Sequence, residues 1–322
     1  MARFCIGIDL GGTYIKLTAL DVDRTPGEVV SLPTPGTGGA EAVADRMADG
    51  ARRTMDEQGI SAKDVAGVGI GAPGPLRISE GVVVGMPNIP GMENAPLARM
   101  VSDRLGLPCA LENDANAAAL GEFLCGAGES SNEMVLLTLG TGLGSGVIME
   151  GEVFHGAHES APELGHLIVV PGGEECNCGQ SGCLERYCSA TFMAARARRR
   201  IEREAAEGEL ARRLAEKGES DARDVEDAAA AGDHLAAEQW DEMAYYLAIG
   251  CVNLCRIYDP DRIVLAGGMA QAGEALLEPV RKHFRELHWK LAEPLSEIAL
   301  AKLGNDAGAI GAAGVSWLRF GS

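Results

Sequence analysis

The apolar positions of this 322-residue chain fall into short continuous runs that alternate with stretches of helical spacing. Phe4 to Asp9 predicts a buried strand, and after Gly11-Gly12-Thr13 a second apolar run extends through Ala19. Two strands joined by a glycine turn predict a hairpin. Residues 40–59 set Ala44, Met47, Ala48, Ala51 and Met55 at helical spacing, with Gly59 as the stop. Val65 to Ile70 predicts a strand opening into Gly71-Ala72-Pro73-Gly74-Pro75. A helix over 96–106, a strand over Cys109-Ala110-Leu111-Glu112 and a helix from Ala115 to Leu124 follow. The alternation then starts again, with Met134 to Leu139 as strand, Gly140-Thr141-Gly142-Leu143-Gly144 as turn and Ser145 to Met149 as returning strand. Residues 190–248 read as several amphipathic helices whose charges alternate in sign, the pattern of solvated faces. Ile263 to Ala266 runs as a strand into Gly267-Gly268, Ile298 to Leu303 predicts another strand, and Gly308 to Phe320 a closing helix.

The recurrence of strand, glycine turn and strand predicts an α/β fold built on a duplicated unit. The boundary is expected near Asn113, giving a small α/β domain over 1–112 plus 303–322 and a larger one over 113–302. Composition narrows the function. Hydrophobic residues make up 46% of the chain and charged ones 23%, which excludes a largely disordered protein. With 28 basic and 47 acidic side chains the formal charge is −19, which disfavours binding to a phosphate backbone. The longest uncharged apolar stretch, 134–149, carries four glycines and falls short of the roughly 20 residues a membrane-spanning helix requires. Asp9 interrupts what would be the apolar part of a secretory leader, so a cytoplasmic location off the membrane is expected. Nine cysteines then suggest reduced thiols or a metal site rather than a disulfide framework. The 43 glycines demand an explanation of their own.

Three glycine turns follow strands, at 9–13, 140–144 and 267–268. Each is open to two readings: a plain tight turn, or a cradle whose N–H groups approach an anion with no Cβ in the way. Three of them in one chain favour phosphate, with Thr13 and Thr141 adding hydroxyls and Asp9 a carboxylate able to hold Mg²⁺ through water. Gly69 to Gly74 matches the dinucleotide pattern G-x-G-x-x-G, but Pro73 and Pro75 are poor openings for the helix that pattern needs. No P-loop is present, and Gly232-Asp233 sits among helical residues. Glu112-Asn113-Asp114 falls between a strand and a helix, so Asp114 reads either as a helix N-cap or as a general base for phosphoryl transfer. Cys176, Cys178 and Cys183, spaced C-x-C-x4-C, together with the upstream His166 suit a closed tetrahedral Zn²⁺ site better than three buried or oxidised thiols. Cys5, Cys109, Cys125, Cys188, Cys251 and Cys255 read as core residues. His155, His158, His234, His283 and His288 have no evident partner.

Taken in order, Asp9-Leu10-Gly11-Gly12-Thr13, Glu112-Asn113-Asp114, Leu139-Gly140-Thr141-Gly142, Glu163-x-Gly165-His166 and Cys176-x-Cys178-Gly179-x-x-Gly182-Cys183-x-Glu185 resemble the ROK family of repressors, open reading frames and kinases. The resemblance spans the chain from Ile6 to the closing helix, and the cysteine–glutamate motif is its most specific part. It implies the actin-like/hexokinase-like ATPase fold, two α/β domains of RNase H-like type around a cleft. It implies Asp114 as the base that deprotonates a sugar hydroxyl, and Asn88, Asn113, Glu163, His166 and Glu185 as residues that hold the sugar. It makes His166, Cys176, Cys178 and Cys183 the ligands of a structural Zn²⁺, and assigns Asp9, Gly11, Gly12, Thr13, Lys16, Thr141, Gly142, Gly267 and Gly268 to ATP and its Mg²⁺.

Repressors of the family carry a helix-turn-helix ahead of the kinase-like body, for which Phe4 leaves no room, so an ATP-dependent hexose kinase is expected. The sugar-site segments look most like those of glucokinases. Kinases of N-acetylmannosamine, N-acetylglucosamine, fructose or allose, and a sugar sensor without turnover, are the alternatives. Polyphosphate is an alternative donor, and a homodimer or homotetramer is expected. One departure is Pro162 beside Glu163, where the family has smaller residues and glycine.

Overall fold

The computed structural model describes residues 2–86, 89–160, 162–291 and 296–321. The chain forms two compact units, the first made of residues 1–136, 146–162 and 302–322, the second of 137–145 and 163–301. In the first, β1 (Phe4–Leu10) and β2 (Tyr14–Asp21) form the expected antiparallel hairpin. β3 (Val30–Pro33) extends it, α1 (Gly39–Glu57) follows, and β4 (Val65–Ala72) returns parallel to β1. A short β5–β6 pair (Leu76–Arg77, Val82–Val83), α2 (Leu97–Leu105), β7 (Cys109–Asn113) and α3 (Asp114–Cys125) complete this stretch. The sheet order is β3-β2-β1-β4-β7.

The second sheet repeats that plan. It opens with β8 (Met134–Leu139), β9 (Leu143–Met149) and β10 (Glu152–Val153), and β8 and β9 each pass from one unit into the other. Helices α4 (Glu185–Cys188), α5 (Ala190–Glu204), α6 (Glu209–Lys217), α7 (Ala222–Ala230) and α8 (His234–Ile257) come next. Then follow β11 (Arg262–Ala266), α9 (Glu274–Leu287), β12 (Glu297–Leu300) and α10 (Ala307–Phe320). The order β10-β9-β8-β11-β12 matches the first sheet strand for strand, so the duplication read from the glycine turns is present in the topology.

Alternation along β1 sorts the core of the first unit. Ile6, Ile8 and Leu10 join Met47, Val43, Leu97 and Val101 of α1 and α2 in one apolar cluster. Cys5 points the other way, packing with Leu20 against Ile310 and Ala313 of α10. Gly7 shares that face, and a Cβ there would stand 1.9 Å from the Ala309 carbonyl oxygen. A Cβ on Gly69 of β4 would meet the Ala312 carbonyl at 1.7 Å, and one on Gly311 the Ala117 carbonyl of α3 at 1.6 Å. Much of the glycine excess therefore serves backbone-to-backbone packing of α10 on the sheet and on α3. The same contact keeps 113–136 with the first unit, although the sequence suggests a boundary just before it.

Two elements differ from expectation for identifiable reasons. β12 ends at Leu300 because the N–H groups of Lys302 and Leu303 donate to the buried Glu122 carboxylate of α3 at 2.7–3.0 Å instead of continuing a ladder. Helix α9 was concealed by Pro279, which breaks helical patterns. The Ala275 carbonyl that Pro279 leaves without its helical donor accepts from Trp240 Nε1 at 2.9 Å. Gly69 to Gly74 lies largely within β4 and opens no helix, and Asp233 caps α8. Among the described residues, no helix is long and apolar enough to cross a membrane. Gly311→Ala should destabilise the protein by about 1–3 kcal/mol in urea titration, the usual cost of overpacking a tight contact. An unchanged midpoint would contradict the packing described.

Candidate active site

Strand register gathers the acidic residues of the first unit at one edge of its sheet. Asp9 pairs with Lys16 on β2 and with Gly71 on β4, and Gly71 pairs in turn with Glu112 on β7. Asp114 follows two residues later, at the carboxyl ends of the parallel strands, where α/β sheets commonly bind ligands. The hairpin turn beside Asp9 is closed by Gly11 N–H donating to the Tyr14 carbonyl at 3.0 Å, and Thr34 Oγ1 donates to Gly11 O at 2.7 Å. Gly12 and Thr13 are exposed at its tip. Lys16 Nζ donates to Asn305 O at 2.7 Å and lies 3.4 Å from Asp306 Oδ1. The Asp9 carboxyl lies under the start of α10, where a Cβ on Gly308 would come within 2.8 Å of it.

Asp114 is not the cap of its helix. Asn113 has extended backbone and its Oδ1 accepts from Ala115 N at 2.9 Å and Asn116 N at 3.2 Å, the work of an N-cap. Asp114 is the first helical residue, and its Oδ1 accepts from Ala115 N at 2.8 Å. Burial pushes its carboxyl above the ordinary range, with hydrogen bonds from Ala115 N–H and the Asn113 side chain opposing. Burial likewise raises Asp9 to about 6, the Asp114 charge adding to it and Lys16 working against it.

The second unit carries the other glycine turns. Gly140 N–H donates to Gly142 O at 3.0 Å and Ala190 N–H to Gly140 O at 2.8 Å. Gly267 turns with φ +88°, and a Cβ there would stand 2.5 Å from the Leu139 carbonyl. Gly140, Thr141 and Gly268 line one cavity of 490 Å³ with Asp221, Glu226, Trp240, Met269 and Gln271. No local signal in the chain marks the last five as cavity walls. Asp221 shows only as a capping box with Asp224 at the start of α7. Thr141, Gly142 and Gly268 are therefore near neighbours of a pocket large enough for a nucleoside.

The cysteine loop lies in the same unit. Gly179 and Gly182 have φ +90° and +85°, and a Cβ on Gly182 would strike the Val170 carbonyl at 1.8 Å. Cys178 Sγ and Cys183 Sγ are 3.6 Å apart, Cys176 Sγ is 3.7 Å from His166 Nδ1, and all four donors lie within 4.8 Å of one another. Edges of about 3.8 Å are what bonds of about 2.3 Å to zinc give in a tetrahedron, so the residues fit the ion. Glu185, two residues on, accepts from Leu143 N at 2.9 Å through Oε2, beside Gly142. Glu163 is exposed and precedes a single 3-10 turn, Leu164–His166, whose Leu164 N–H donates to Ser145 Oγ at 3.0 Å. Asn88 lies outside the described residues. The remaining cysteines are free thiols, with Cys5 raised to about 11 and Cys109 to about 12 by burial, as core residues would be. Four histidines without evident partners in the sequence have them: His283 faces Asp241 at 2.9 Å, His155 Glu112 at 2.7 Å, His234 Glu238 at 3.4 Å and His288 the Trp289 carbonyl at 3.2 Å.

The ROK family model matches residues 5–317. The chain belongs to the ROK family. A curated glucokinase of Halalkalibacterium halodurans is 39% identical over 313 residues, covering 96% of this chain and 93% of that protein. Among solved structures, the ROK hexokinase of Thermus thermophilus superposes with a TM-score of 0.84 at 35% identity, covering 98% of each chain. A ROK glucokinase of Streptomyces griseus, solved with glucose and AMPPNP, gives 0.76 at 33% identity over 97% of this chain and 98% of that one. The fold of this ROK protein is the actin-like, hexokinase-like ATPase fold that the resemblance implied.

Elemental analysis of protein purified without chelators is expected to find one zinc per chain, and Cys178→Ser to lose it. Asp9 gives a second test. Its folded pKa of about 6 lies above the ordinary 3.8, so its contribution to stability is full below pH 4 and lost as pH rises through about 6. Asp9→Asn should therefore stabilise the protein at pH 7.5, by about 1–3 kcal/mol in urea titration. A destabilised variant would refute the strained carboxylate.

Proposed function

We propose that this ROK protein is an ATP-dependent hexose kinase that converts glucose to glucose 6-phosphate. The observation that carries the reading is Asp114, a half-buried carboxylate with a raised pKa, relieved of helix capping by Asn113 and close enough to Asp9 for the two charges to interact. A carboxyl whose surroundings raise its pKa is a stronger proton acceptor than a free one, as suits a general base. Asp114 accepts the sugar hydroxyl's proton as the oxygen attacks the γ-phosphorus, and the bond to the bridging oxygen of ADP breaks. The N–H groups of the turns at Gly11-Gly12-Thr13, Thr141-Gly142 and Gly267-Gly268 hold the donor's phosphates. Asp9 holds Mg²⁺ through water, and Lys16 offsets part of the local negative charge; the ion supplies charge neutralisation on the phosphates.

For the acceptor, Asn88, Asn113, Glu163, His166 and Glu185 provide amide donors and carboxylate acceptors for sugar hydroxyls. Zn²⁺, held by His166, Cys176, Cys178 and Cys183, supplies rigidity to the loop that leads into Glu185. With His166 Nδ1 turned toward the thiols, Nε2 is left for a hydroxyl. Glucose is favoured by the glucokinase relatives, of which one was solved with that sugar and an ATP analogue.

A coupled assay should test glucose, N-acetylmannosamine, N-acetylglucosamine, fructose and allose with ATP and with polyphosphate. Turnover with glucose and ATP is expected, and no phosphosugar from any pair would refute the kinase. Asp114→Asn should lower kcat by about 10²–10⁴, the worth of a positioned base. Because Asp9 and Asp114 act as carboxylates, wild-type kcat should fall as pH drops through about 6.

A further inference from the structure

Strand β7 ends in a carboxylate that the reaction above does not use. Glu112 is 2% exposed, and three donors converge on it. Its Oε1 accepts from Asn113 N at 2.9 Å and from Asn116 Nδ2 at 3.0 Å, and its Oε2 lies 2.7 Å from His155 Nε2. Both other residues belong to the first turn of α3. Asn113 is its cap, and Asn116 is 3% exposed with an Oδ1 that has no partner among the described residues, so Glu112 orients its amide. Asp114 lies between them.

We infer that His155 is a positioning residue: through Glu112 it fixes the first turn of α3 and so the direction in which Asp114 presents its carboxylate. His155 follows β10, in a segment that is far from Glu112 in sequence but in the same unit. A buried carboxylate is costly to keep without a cationic or strong donor partner. Without His155, Oε2 of Glu112 loses its donor and turns toward water, and Oε1 is no longer held in place for Asn113 and Asn116. The cap then loosens, and a displacement of about 1 Å at a reacting group costs about 10²-fold in rate. The charged groups acting on His155 are Glu112, Glu159 and Arg319. The bond to Glu112 raises its pKa above the ordinary histidine value against burial and Arg319. The charged pair thus persists to higher pH than a free histidine would keep it and is lost as pH rises through that raised value.

The catalytic consequence rests on the kinase reading, but the structural one does not. His155→Ala should speed hydrogen exchange of the amides at 113–116, with the rest of the chain protected as in wild type. Its kcat for the sugar should fall about 10- to 100-fold while KM for ATP stays within about twofold. His155→Gln keeps an N–H donor and should recover most of kcat, yet lose the wild type's decline as pH rises through the raised value of His155. Unchanged exchange at 113–116 in His155→Ala overturns the inference, whether or not any sugar is turned over. So does a decline with rising pH that survives unaltered in His155→Gln, the variant that decides the matter if His155→Ala fails to fold. Absence of turnover in wild type would instead refute the kinase and leave the exchange measurement to judge His155.

Discussion

The backbone of α10 lies against the backbones of β1, β4 and α3 at distances that admit no side chain. Gly7, Gly69 and Gly311 each stand where a Cβ would come within 2 Å of a carbonyl oxygen. Glycine in a helix or strand interior costs about 0.5–1 kcal/mol relative to alanine, so the close approach must return more than that through burial. It also sets the chemistry. The helix start comes down over Asp9, and the same helix backs α3, whose first residue is Asp114. Loosening that contact would move both carboxylates at once.

Each buried carboxylate in this unit is balanced by different means. Asp9 faces a lysine across the strand pair but remains strained by burial and by its neighbour Asp114. Asp114 draws on the N–H groups at the start of a helix, and Glu112 on two amide donors and an imidazole. Asp9 and Asp114, both with raised pKa values, are the two that the proposed reaction uses. Glu122 shows the purely structural use: its carboxylate accepts from the N–H groups of Ala127, Lys302 and Leu303 and ties the end of α3 to the segment that leads into α10.

Much of this was legible in the chain itself. The recurrent strand–glycine–strand pattern announced the duplicated sheet, and the cysteine spacing with His166 announced a four-donor cluster. What period and spacing leave ambiguous is which of two adjacent polar residues does which job. Asn113 and Asp114 are both good caps, and only backbone conformation assigns the cap to Asn113. The helices around the 490 Å³ cavity were visible as helices, but no local signal marks Asp221, Trp240 or Gln271 as its walls, since they come together from separate elements. His155 escaped notice for the same reason, and α9 because the donor that compensates Pro279 is an indole from another helix.

The first unit is assembled from segments at both ends of the chain, with 163–301 emerging from the ribosome between them. Its central helix, α10, is translated after the unit's other elements. Synthesis at about 5–20 residues per second leaves β1, β4 and α3 without their shared partner for about 10–40 s after α3 has appeared. During that interval the glycine-lined face of the nascent sheet is open and its carboxylates are hydrated. The unit that holds Asp9 and Asp114 thus closes only once α10 has been made, whereas 163–301 has its whole sequence available earlier.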